Sequence, residues 1–402
     1  MGTALAQAVP VILSPVISRI YLPAHLGLAG IFLSLTNIFG PVSNGKYDLA
    51  IHLPKKDKDS IQLTMVGICF SAIFCLLLFC IIAIFNVQIS SILQSPEMQY
   101  WLFFVPASAF FIGCFEMLMQ ISTRFKKYSH LSRVMVFKSG TLGFFQVGIG
   151  YFNNSAAGLI LGQVLSVFTA SLLLLNTTKK KMFVEYKRIT TYNLFQLAKK
   201  YSEFPKYAMG SSLFNILSLN ALNLLIGILY SPAVLGLYLL TYRVINLPTT
   251  VISQSLSKVF LEKAGANKRA SEPIKKTFIK TSLRLATISI PLFLILYITI
   301  EHVYGFVFGE EWTDSGKYAK ILTPLIATKF IVSPLSNILY VYNKQKLMLF
   351  WQIGLLFISV SLLVGSSYSN NSFEYFLINY SSLLTLYYLI LYAIAFKISI
   401  KN

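Results

Sequence analysis

The chain has 402 residues, of which 55% are hydrophobic and only 12% are charged, and its mean hydropathy is +0.67. A soluble domain carries about 25% charged residues, so this composition excludes a soluble globular protein and predicts a membrane protein. The 34 Lys and Arg residues outnumber the 14 Asp and Glu residues, but they lie between apolar runs instead of forming a basic domain, so nucleic acid is not expected as a partner.

Twelve apolar stretches are long enough to cross the bilayer core as helices, which takes roughly 20 residues each. Six lie in each half of the chain. We therefore expect an all-α integral membrane protein with an N-terminal six-helix bundle (1–178), a basic cytoplasmic linker (179–207) and a C-terminal six-helix bundle (208–402). The twelve predicted spans are residues 2–20, 26–48, 61–85, 102–123, 134–152, 157–176, 208–229, 233–257, 281–300, 321–342, 348–367 and 375–396.

An internal repeat supports the division into halves. The segment YLPAHLGL at residues 21–28 returns as YSPAVLGL at residues 230–237, with six of eight positions identical. Because each half holds an even number of helices, both bundles should have the same orientation. The repeat therefore predicts two bundles related by a pseudo-two-fold axis along the membrane normal.

The charge of the loops predicts the orientation. The loops after the even-numbered helices, together with the C-terminal tail, hold most of the basic residues, so both termini should be cytoplasmic. The longest outer loop, residues 301–320, is too short for a folded domain. Aromatic residues among the lysines of the linker predict either an amphipathic helix on the inner leaflet or a plain tether. No basic segment precedes the first apolar run, which predicts a membrane helix and not a cleavable signal peptide.

Four basic residues lie inside the predicted helices, where each costs roughly 2.5–3.5 kcal/mol at the bilayer centre. Lys46 and Lys138 lie near helix ends, so they either snorkel to the interface or line a site. Arg243 lies about 15 Å along the eighth helix and Lys329 about 12 Å along the tenth, both near mid-membrane. These two side chains therefore need protein or water around them.

Polar side chains accompany both mid-membrane cations at helical spacing. Such a face should meet protein or water and not lipid, and prolines interrupt the same helices, as in transporters whose broken helices line a cavity. We interpret the stripes as the lining of a cationic cavity that attracts a phosphate; the alternative is that Ser, Thr and Asn join helices. The stripes are Arg243, Asn246, Thr250, Ser253 and Ser257 on the eighth helix, Lys329, Ser333, Ser336, Asn337 and Tyr340 on the tenth, and a weaker set, Asn37, Asn44 and Tyr47, on the second.

Two acids lie at or inside the membrane in the N-terminal half. Glu116 is about 21 Å into the fourth helix, and Asp48 is at the inner end of the second. They predict a protonation or cation site that couples transport to an ion gradient; the alternative is a structural ion pair, such as Glu116 with Arg243. The Cys and His residues lack metal-ligand spacing, and motifs of ATPases, proteases and esterases are missing. We therefore expect no metal, no cofactor and no enzymatic activity.

The start of the chain carries a recognisable pattern. The runs GTALAQA at residues 2–8 and KYDLAI at residues 46–51, with the pair Ser18 and Arg19 between them, closely resemble the opening of bacterial oligosaccharide flippases. These proteins form the Wzx group of the MOP exporter superfamily. The motif covers only the first helix pair, and the layout of twelve helices in two halves extends the resemblance over the whole chain.

The resemblance implies a function. It implies translocation of undecaprenyl-pyrophosphate-linked oligosaccharides from the inner to the outer leaflet of the bacterial cytoplasmic membrane, for O-antigen, capsule or a related polymer. It also implies alternating access by two rocking bundles, H⁺ or Na⁺ as the coupling ion, and association with the polysaccharide polymerase machinery. Together with helix depth, it predicts ion coupling by Glu116 and Asp48, and substrate binding by Arg243, Lys329, Asn246, Asn337, Arg19, Lys46 and Lys138.

Two alternative functions stay open on the sequence. A cation-coupled multidrug exporter of the same superfamily would favour an acidic or neutral cavity, because its substrates are cationic. An integral-membrane polysaccharide polymerase would need a catalytic loop on the outer side, and residues 301–320 are the candidate for it.

Overall fold

The computed structural model describes residues 2–186, 191–270 and 272–401. Every regular element in these ranges is a helix, and nine of the helices there are long and apolar enough to cross a membrane. The expected all-α membrane architecture is therefore confirmed. The chain forms two compact units, unit 1 (Met1–Gly236) and unit 2 (Leu237–Asn402). The predicted bundle limits at residues 178 and 208 stay a prediction.

Unit 1 holds eleven helices among its described residues, and a twelfth begins at its end. Two of them, α3 and α12, start with proline, which suits the first turn of a helix because that turn has no use for the missing N–H. The helices are α1 Gly2–Ile12, α2 Ser14–Ile20, α3 Pro23–Ser43, α4 Tyr47–Ala50, α5 Asp57–Ile92, α6 Met98–Leu102, α7 Phe104–Arg124, α8 Tyr128–Phe152, α9 Ala157–Tyr186, α10 Thr191–Lys200, α11 Met209–Leu229 and α12 Pro232–Ile245.

Unit 2 contains the rest of α12 and six further helices among the residues that the structure describes. In this unit α15 packs between α14 and α18. The helices are α13 Gln254–Arg269, α14 Lys275–Phe308, α15 Thr313–Leu335, α16 Ile338–Val341, α17 Gln345–Tyr368 and α18 Phe373–Lys401.

The predicted second span, residues 26–48, is wrong at its inner end. Helix α3 stops before Asn44, and Gly45 and Lys46 adopt left-handed backbone angles, with φ of 61° and 57°. The Asn44 side-chain oxygen accepts a hydrogen bond from the backbone N–H of Lys46 at 2.8 Å, which closes a tight turn. Helix α4 begins after this turn, so Asn44 and Asp48 are not part of α3 and do not share its helical face.

The eighth and tenth predicted spans are also interrupted. Helix α12 ends at Ile245, and a π-helical turn, Thr249–Ser253, separates it from α13. Helix α15 ends one residue after Pro334, and the short helix α16 follows. Proline removes a backbone donor and crowds the preceding turn, so both interruptions fall beside a proline, Pro248 in the first case. These breaks lie where the polar stripes were predicted.

The predicted outer loop, residues 301–320, is almost entirely helical. Helix α14 continues to Phe308, and α15 begins at Thr313. Gly309 makes the reversal with φ of 106°, a conformation that glycine adopts without steric cost. Only four residues therefore connect the two helices.

The predicted linker between the halves contains helix in its described part. Helix α9 continues to Tyr186, and residues 187–190 lie outside the described residues. Helix α10 packs Leu194 and Ala198 against the hydrophobic core of unit 1 and leaves Phe195 exposed. The described part of this segment is therefore an amphipathic helix attached to unit 1 and not a plain tether.

The two copies of the repeated segment contact each other within unit 1. Gly27 packs against Pro232, and Gly236 packs against Pro23, so the glycine of each copy contacts the proline of the other copy. A Cβ atom on either glycine would overlap the carbonyl oxygen of the opposite proline. Glycine is therefore required at both positions, because only glycine allows the two helix starts to approach this closely.

Candidate functional site

A polar cavity of 300 Å³ lies within unit 2, between α12, α13 and α15. Its volume is at the lower end of the range for small-molecule sites, about 300–1,000 Å³. Five of its lining residues belong to the polar stripes predicted from sequence; the side chain of a sixth stripe residue, Thr250, lies outside the described residues. We call it the Lys329 cavity, and its lining is Tyr242, Asn246, Thr249, Ser253, Ser257, Lys329, Ser333 and Pro334.

Lys329 is the cation of this cavity. Its ammonium group donates a hydrogen bond to the Tyr242 hydroxyl at 3.2 Å and lies 5.8 Å from the centroid of the same ring. Asn246 also hydrogen-bonds to Tyr242, and Tyr380 and Tyr388 of α18 lie near the ammonium group. In the part of the chain that the structure describes, no carboxylate pairs with Lys329. The cavity therefore combines one positive charge with hydroxyl and amide groups.

Some stripe residues join helices. The Asn337 amide donates to the Ser257 hydroxyl at 2.6 Å, and Ser253 donates to the carbonyl oxygen of Phe330 at 3.0 Å. Ser336 bonds back to its own helix. Both interpretations of the stripes are therefore present: Lys329 and Asn246 face the cavity, whereas Asn337 holds α13 to the end of α15.

Two predicted substrate-binding residues lie away from the Lys329 cavity. Arg243 is half-buried on α12 and is not among the lining residues, and Arg19 is exposed in the last turn of α2. A role for either in binding stays a prediction. Sequence reasoning missed Tyr242, although a tyrosine in the middle of a membrane helix, beside an arginine, is a signal that was available.

A second group of charged side chains lies in unit 1. Lys46 Nζ is 3.5 Å from Asp48 Oδ2 and 4.0 Å from Glu116 Oε2, to which the Asn44 amide also donates at 3.5 Å. Lys138 interacts electrostatically with Glu116 and holds its ammonium group over an aromatic ring of α7. We call Asn44, Lys46, Asp48, Glu116 and Lys138 the Glu116 cluster.

The cluster balances two basic side chains against two acidic ones. Lys46 is only 8% exposed, so of the two interpretations of this residue its position within the protein supports a paired charge more than a free snorkelling side chain. Its charge stays buried because the turn at Asn44 brings Asp48 and Glu116 to it, and a buried charge is tolerated when it is paired. Among the described residues, one oxygen of Asp48 is buried without a hydrogen-bond partner. That oxygen is an acceptor open to a proton or a cation.

Within the described ranges, no three His, Cys, Asp or Glu side chains are grouped as a metal site would require. The polymerase alternative needed a catalytic loop at residues 301–320, but most of that segment belongs to α14 and α15, and only four residues connect them.

Comparison with known proteins identifies a family. The model of the family described as "Polysaccharide biosynthesis protein" matches residues 16–317. The teichuronic acid biosynthesis protein TuaB of Bacillus subtilis (strain 168) is 25% identical over 232 residues, which cover 57% of this chain and 46% of TuaB. The chain therefore matches about half the length of that relative.

Solved structures share the fold. An inward-facing multidrug resistance MATE family transporter of the MOP superfamily superimposes with a TM-score of 0.71 and 11% identity, covering 99% of this chain and 94% of that chain. The lipid II flippase MurJ, in an inward closed conformation, gives a TM-score of 0.68 and 13% identity, covering 99% and 89%. These neighbours confirm the expected architecture of twelve helices in two lobes, and at such low identity they show the fold alone.

Proposed function

Because the chain belongs to the polysaccharide biosynthesis protein family, we propose that it moves undecaprenyl-pyrophosphate-linked oligosaccharides from the inner to the outer leaflet of the bacterial cytoplasmic membrane. The observation that carries this proposal is the position of Lys329. Its ammonium group lies in a polar cavity, and no carboxylate among the described residues forms an ion pair with it. The family match and the likeness to TuaB, named for teichuronic acid biosynthesis, support a polysaccharide precursor as the cargo.

The chemistry of the Lys329 cavity suits a pyrophosphate. A lysine ammonium group is a compact positive charge with three donors, and its attraction for phosphate oxygens is strong where water is scarce. The Tyr242 hydroxyl and the Asn246 amide can donate to the same oxygens from one side of the cavity. A volume of 300 Å³ holds a charged head group but not a whole oligosaccharide, so the sugars would extend beyond it.

The Glu116 cluster supplies a candidate site for the coupling ion. Protonation of Asp48 or Glu116 would remove one of two negative charges and leave Lys46 and Lys138 in excess, so the cluster would change its net charge and its packing. The oxygen of Asp48 that is buried without a hydrogen bond supports a proton or a small cation at this position. We assign H⁺ or Na⁺ uptake to this cluster as part of the same proposal.

The direct test is deletion of the gene in its host. We expect lipid-linked repeat units to accumulate on the inner leaflet and surface polysaccharide to disappear. Complementation with the wild type or with Lys317→Ala, an exposed lysine on the same helix as Lys329, should restore the polymer, whereas Lys329→Ala should not. Normal surface polymer after deletion would reject the proposal.

A second candidate, a cation-coupled multidrug exporter, is favoured by the fold, since a MATE transporter superimposes with a TM-score of 0.71. A cavity whose charge is Lys329 repels cationic drugs, which weighs against this function. The deletion strain decides between the two. Unchanged tolerance to cationic drugs is expected, and reduced tolerance with normal surface polymer would replace the flippase by the exporter.

A further inference from the structure

Unit 2 carries a long groove on the outside of α15. Two adjoining cavities of 540 and 530 Å³ share Tyr297 and Pro324 and run along α15 between α14 and α18. The surface of the first cavity is mostly apolar, with side chains such as Ile290, Phe293 and Leu389, although several hydroxyl-bearing residues also line it. We call the two together the α15 groove. All three of its helices are long and apolar enough to span the membrane, and its lining residues Ile290 and Leu389 are exposed, so we infer that the groove opens towards hydrocarbon.

The groove is closed at one end and open at the other. Ser282 and Tyr392 hydrogen-bond at 2.9 Å and join α14 to α18 at the closed end. Lys320 lines the open end, where its ammonium group lies 3.4 Å from Glu301 and its side chain is 37% exposed. From Ile378 to Tyr392 on α18 the groove is about 20 Å long, which is two-thirds of the roughly 30 Å bilayer core.

Proline and small residues keep the groove from filling. Pro291 lies inside α14 and Pro324 inside α15, and each removes one backbone hydrogen bond from its helix. Ala286 and Ala327 line opposite walls with side chains of one carbon. Although α14 and α15 pack along each other, a space remains on this side of α15, and this space is the groove.

Helix α15 separates the groove from the Lys329 cavity. Thr328 lines the groove and Lys329, the next residue, lines the cavity. Across a helix of about 10 Å diameter, the same element therefore offers a hydrocarbon surface on one side and a cationic polar surface on the other. A lipid-linked pyrophosphate needs both kinds of surface, one for its chain and one for its head.

We propose that the α15 groove binds the polyprenyl chain of the carrier lipid, with the phosphate of that lipid at Lys320. The inference rests on the proposed function, and under the predicted orientation it places the head group at the outer leaflet. Two observations support this occupant: the ammonium group of Lys320 at the open end, which pairs with Glu301 but stays partly exposed, and the Lys329 cavity on the other side of α15. A lipid held in this groove would be oriented for entry to or departure from that cavity.

Photolabelling with a polyprenyl phosphate that carries a diazirine in its chain tests the proposal on the purified full-length protein. Labelled peptides should come from α14, α15 and α18. Ala327→Trp fills the groove and should reduce labelling of these helices at least tenfold. The matched control is Ile295→Trp, an exposed position on α14 that does not line the groove, and it should leave labelling unchanged.

Additional variants and probes identify which lipid is bound and control for misfolding of a single variant. Ala286→Trp fills the groove from the opposite wall, so it carries the same expectation if Ala327→Trp does not fold. Lys320→Gln should weaken labelling about tenfold, and a phosphate-free polyprenol probe should label the wild type equally weakly. Unaltered labelling of folded tryptophan variants, or equal competition by unlabelled phosphatidylglycerol and unlabelled polyprenyl phosphate, would overturn the proposal.

The groove assignment and the proposed function can be rejected independently of each other. Lys329→Met should block transport of lipid-linked oligosaccharide and leave photolabelling of the groove unchanged. If the wild type transports the oligosaccharide and the groove is not labelled, only the groove assignment is wrong. If the groove is labelled and the wild type does not transport, the proposed function is wrong and the groove remains a polyprenyl phosphate site.

Discussion

The two units bury charge in opposite ways. In the Glu116 cluster of unit 1, Lys46 lies within ion-pair distance of two acids, and two basic side chains face two acidic ones. In the Lys329 cavity of unit 2, the described residues surround the ammonium group with tyrosines and pair it with no carboxylate. The charges of the first arrangement balance, whereas the second lacks a negative charge.

The difference teaches how to distinguish a charge-balanced cluster from an anion-binding site. Removing one member of a balanced buried cluster leaves a charge uncompensated, so the folded protein should become less stable. Removing an unbalanced buried charge relieves a desolvation cost, so the stability of the protein should not decrease. Only its affinity for the bound anion should be lost. Stability and transport should therefore respond in opposite ways in the two units.

Glu116→Ala should have the largest effect on stability. It leaves Lys46 and Lys138 without Glu116 as a counter-charge, and breaking a buried pair in this way costs about 3–5 kcal/mol. Thermal or chemical unfolding of the purified protein in detergent measures the loss. Asp314→Ala breaks the exposed pair with Lys317 and serves as the control, with a change of at most about 1 kcal/mol. Equal stability of Glu116→Ala and Asp314→Ala would mean that the cluster is not a balanced ion-pair network.

Lys329→Met should have the largest effect on transport. Loss of the one cation of the cavity should slow flipping of lipid-linked oligosaccharide in vesicles about 100-fold, which corresponds to about 2.7 kcal/mol. Its unfolding temperature should stay the same or rise. Lys46→Met provides the contrast, because it should lower the unfolding temperature. If both lysine variants lose stability to the same extent, the two sites do not differ as described.

Tyr242→Phe should have an intermediate effect confined to unit 2. It removes the hydroxyl that accepts from Lys329 at 3.2 Å and interacts with Asn246. We expect about tenfold slower transport, or about 1.4 kcal/mol, because the ammonium group keeps its charge but loses its fixed position. Tyr340→Phe, an exposed tyrosine further along the chain, is the matched control. Full activity of Tyr242→Phe would show that the ammonium position is set by other contacts.

Ser257→Ala should have the smallest effect. It removes the hydroxyl that accepts from Asn337 at 2.6 Å, and a single neutral hydrogen bond contributes about 1 kcal/mol to stability. Transport should change less than threefold, because this contact joins α13 to the end of α15 and leaves Lys329 in place. A loss of transport as large as that of Lys329→Met would move Ser257 from a packing role into the binding role.

Much of the fold and part of the site follow from the sequence. Apolar length predicted the membrane helices, and helical spacing predicted that Asn246 and Ser253 share one polar face of the eighth helix; both line the Lys329 cavity. Both inferences use local rules, since the period of a helix decides which side chains share a face. The twelve-helix, two-lobe layout came from counting spans and from the repeat.

The remainder depends on contacts between distant segments. The pair Asn44-Gly45 is a turn signal, yet the length of the apolar run suggested one continuous helix. Once the chain reverses there, Lys46 meets Glu116, a residue 70 positions away, and no local pattern specifies that contact. The contacts of Gly27 with Pro232 and of Gly236 with Pro23 are likewise tertiary. The sequence shows the repeat, but it does not show that the two copies contact each other.

Binding of a short prenyl pyrophosphate to the purified protein tests the central claim most directly. Isothermal titration with farnesyl pyrophosphate should show saturable binding that weakens as salt increases. Lys329→Met should weaken the affinity at least 100-fold, whereas Glu116→Gln should leave it within about threefold, provided that the variant is folded. Equal affinity of Lys329→Met and the wild type, or tighter binding of an organic cation than of the pyrophosphate, would contradict the account.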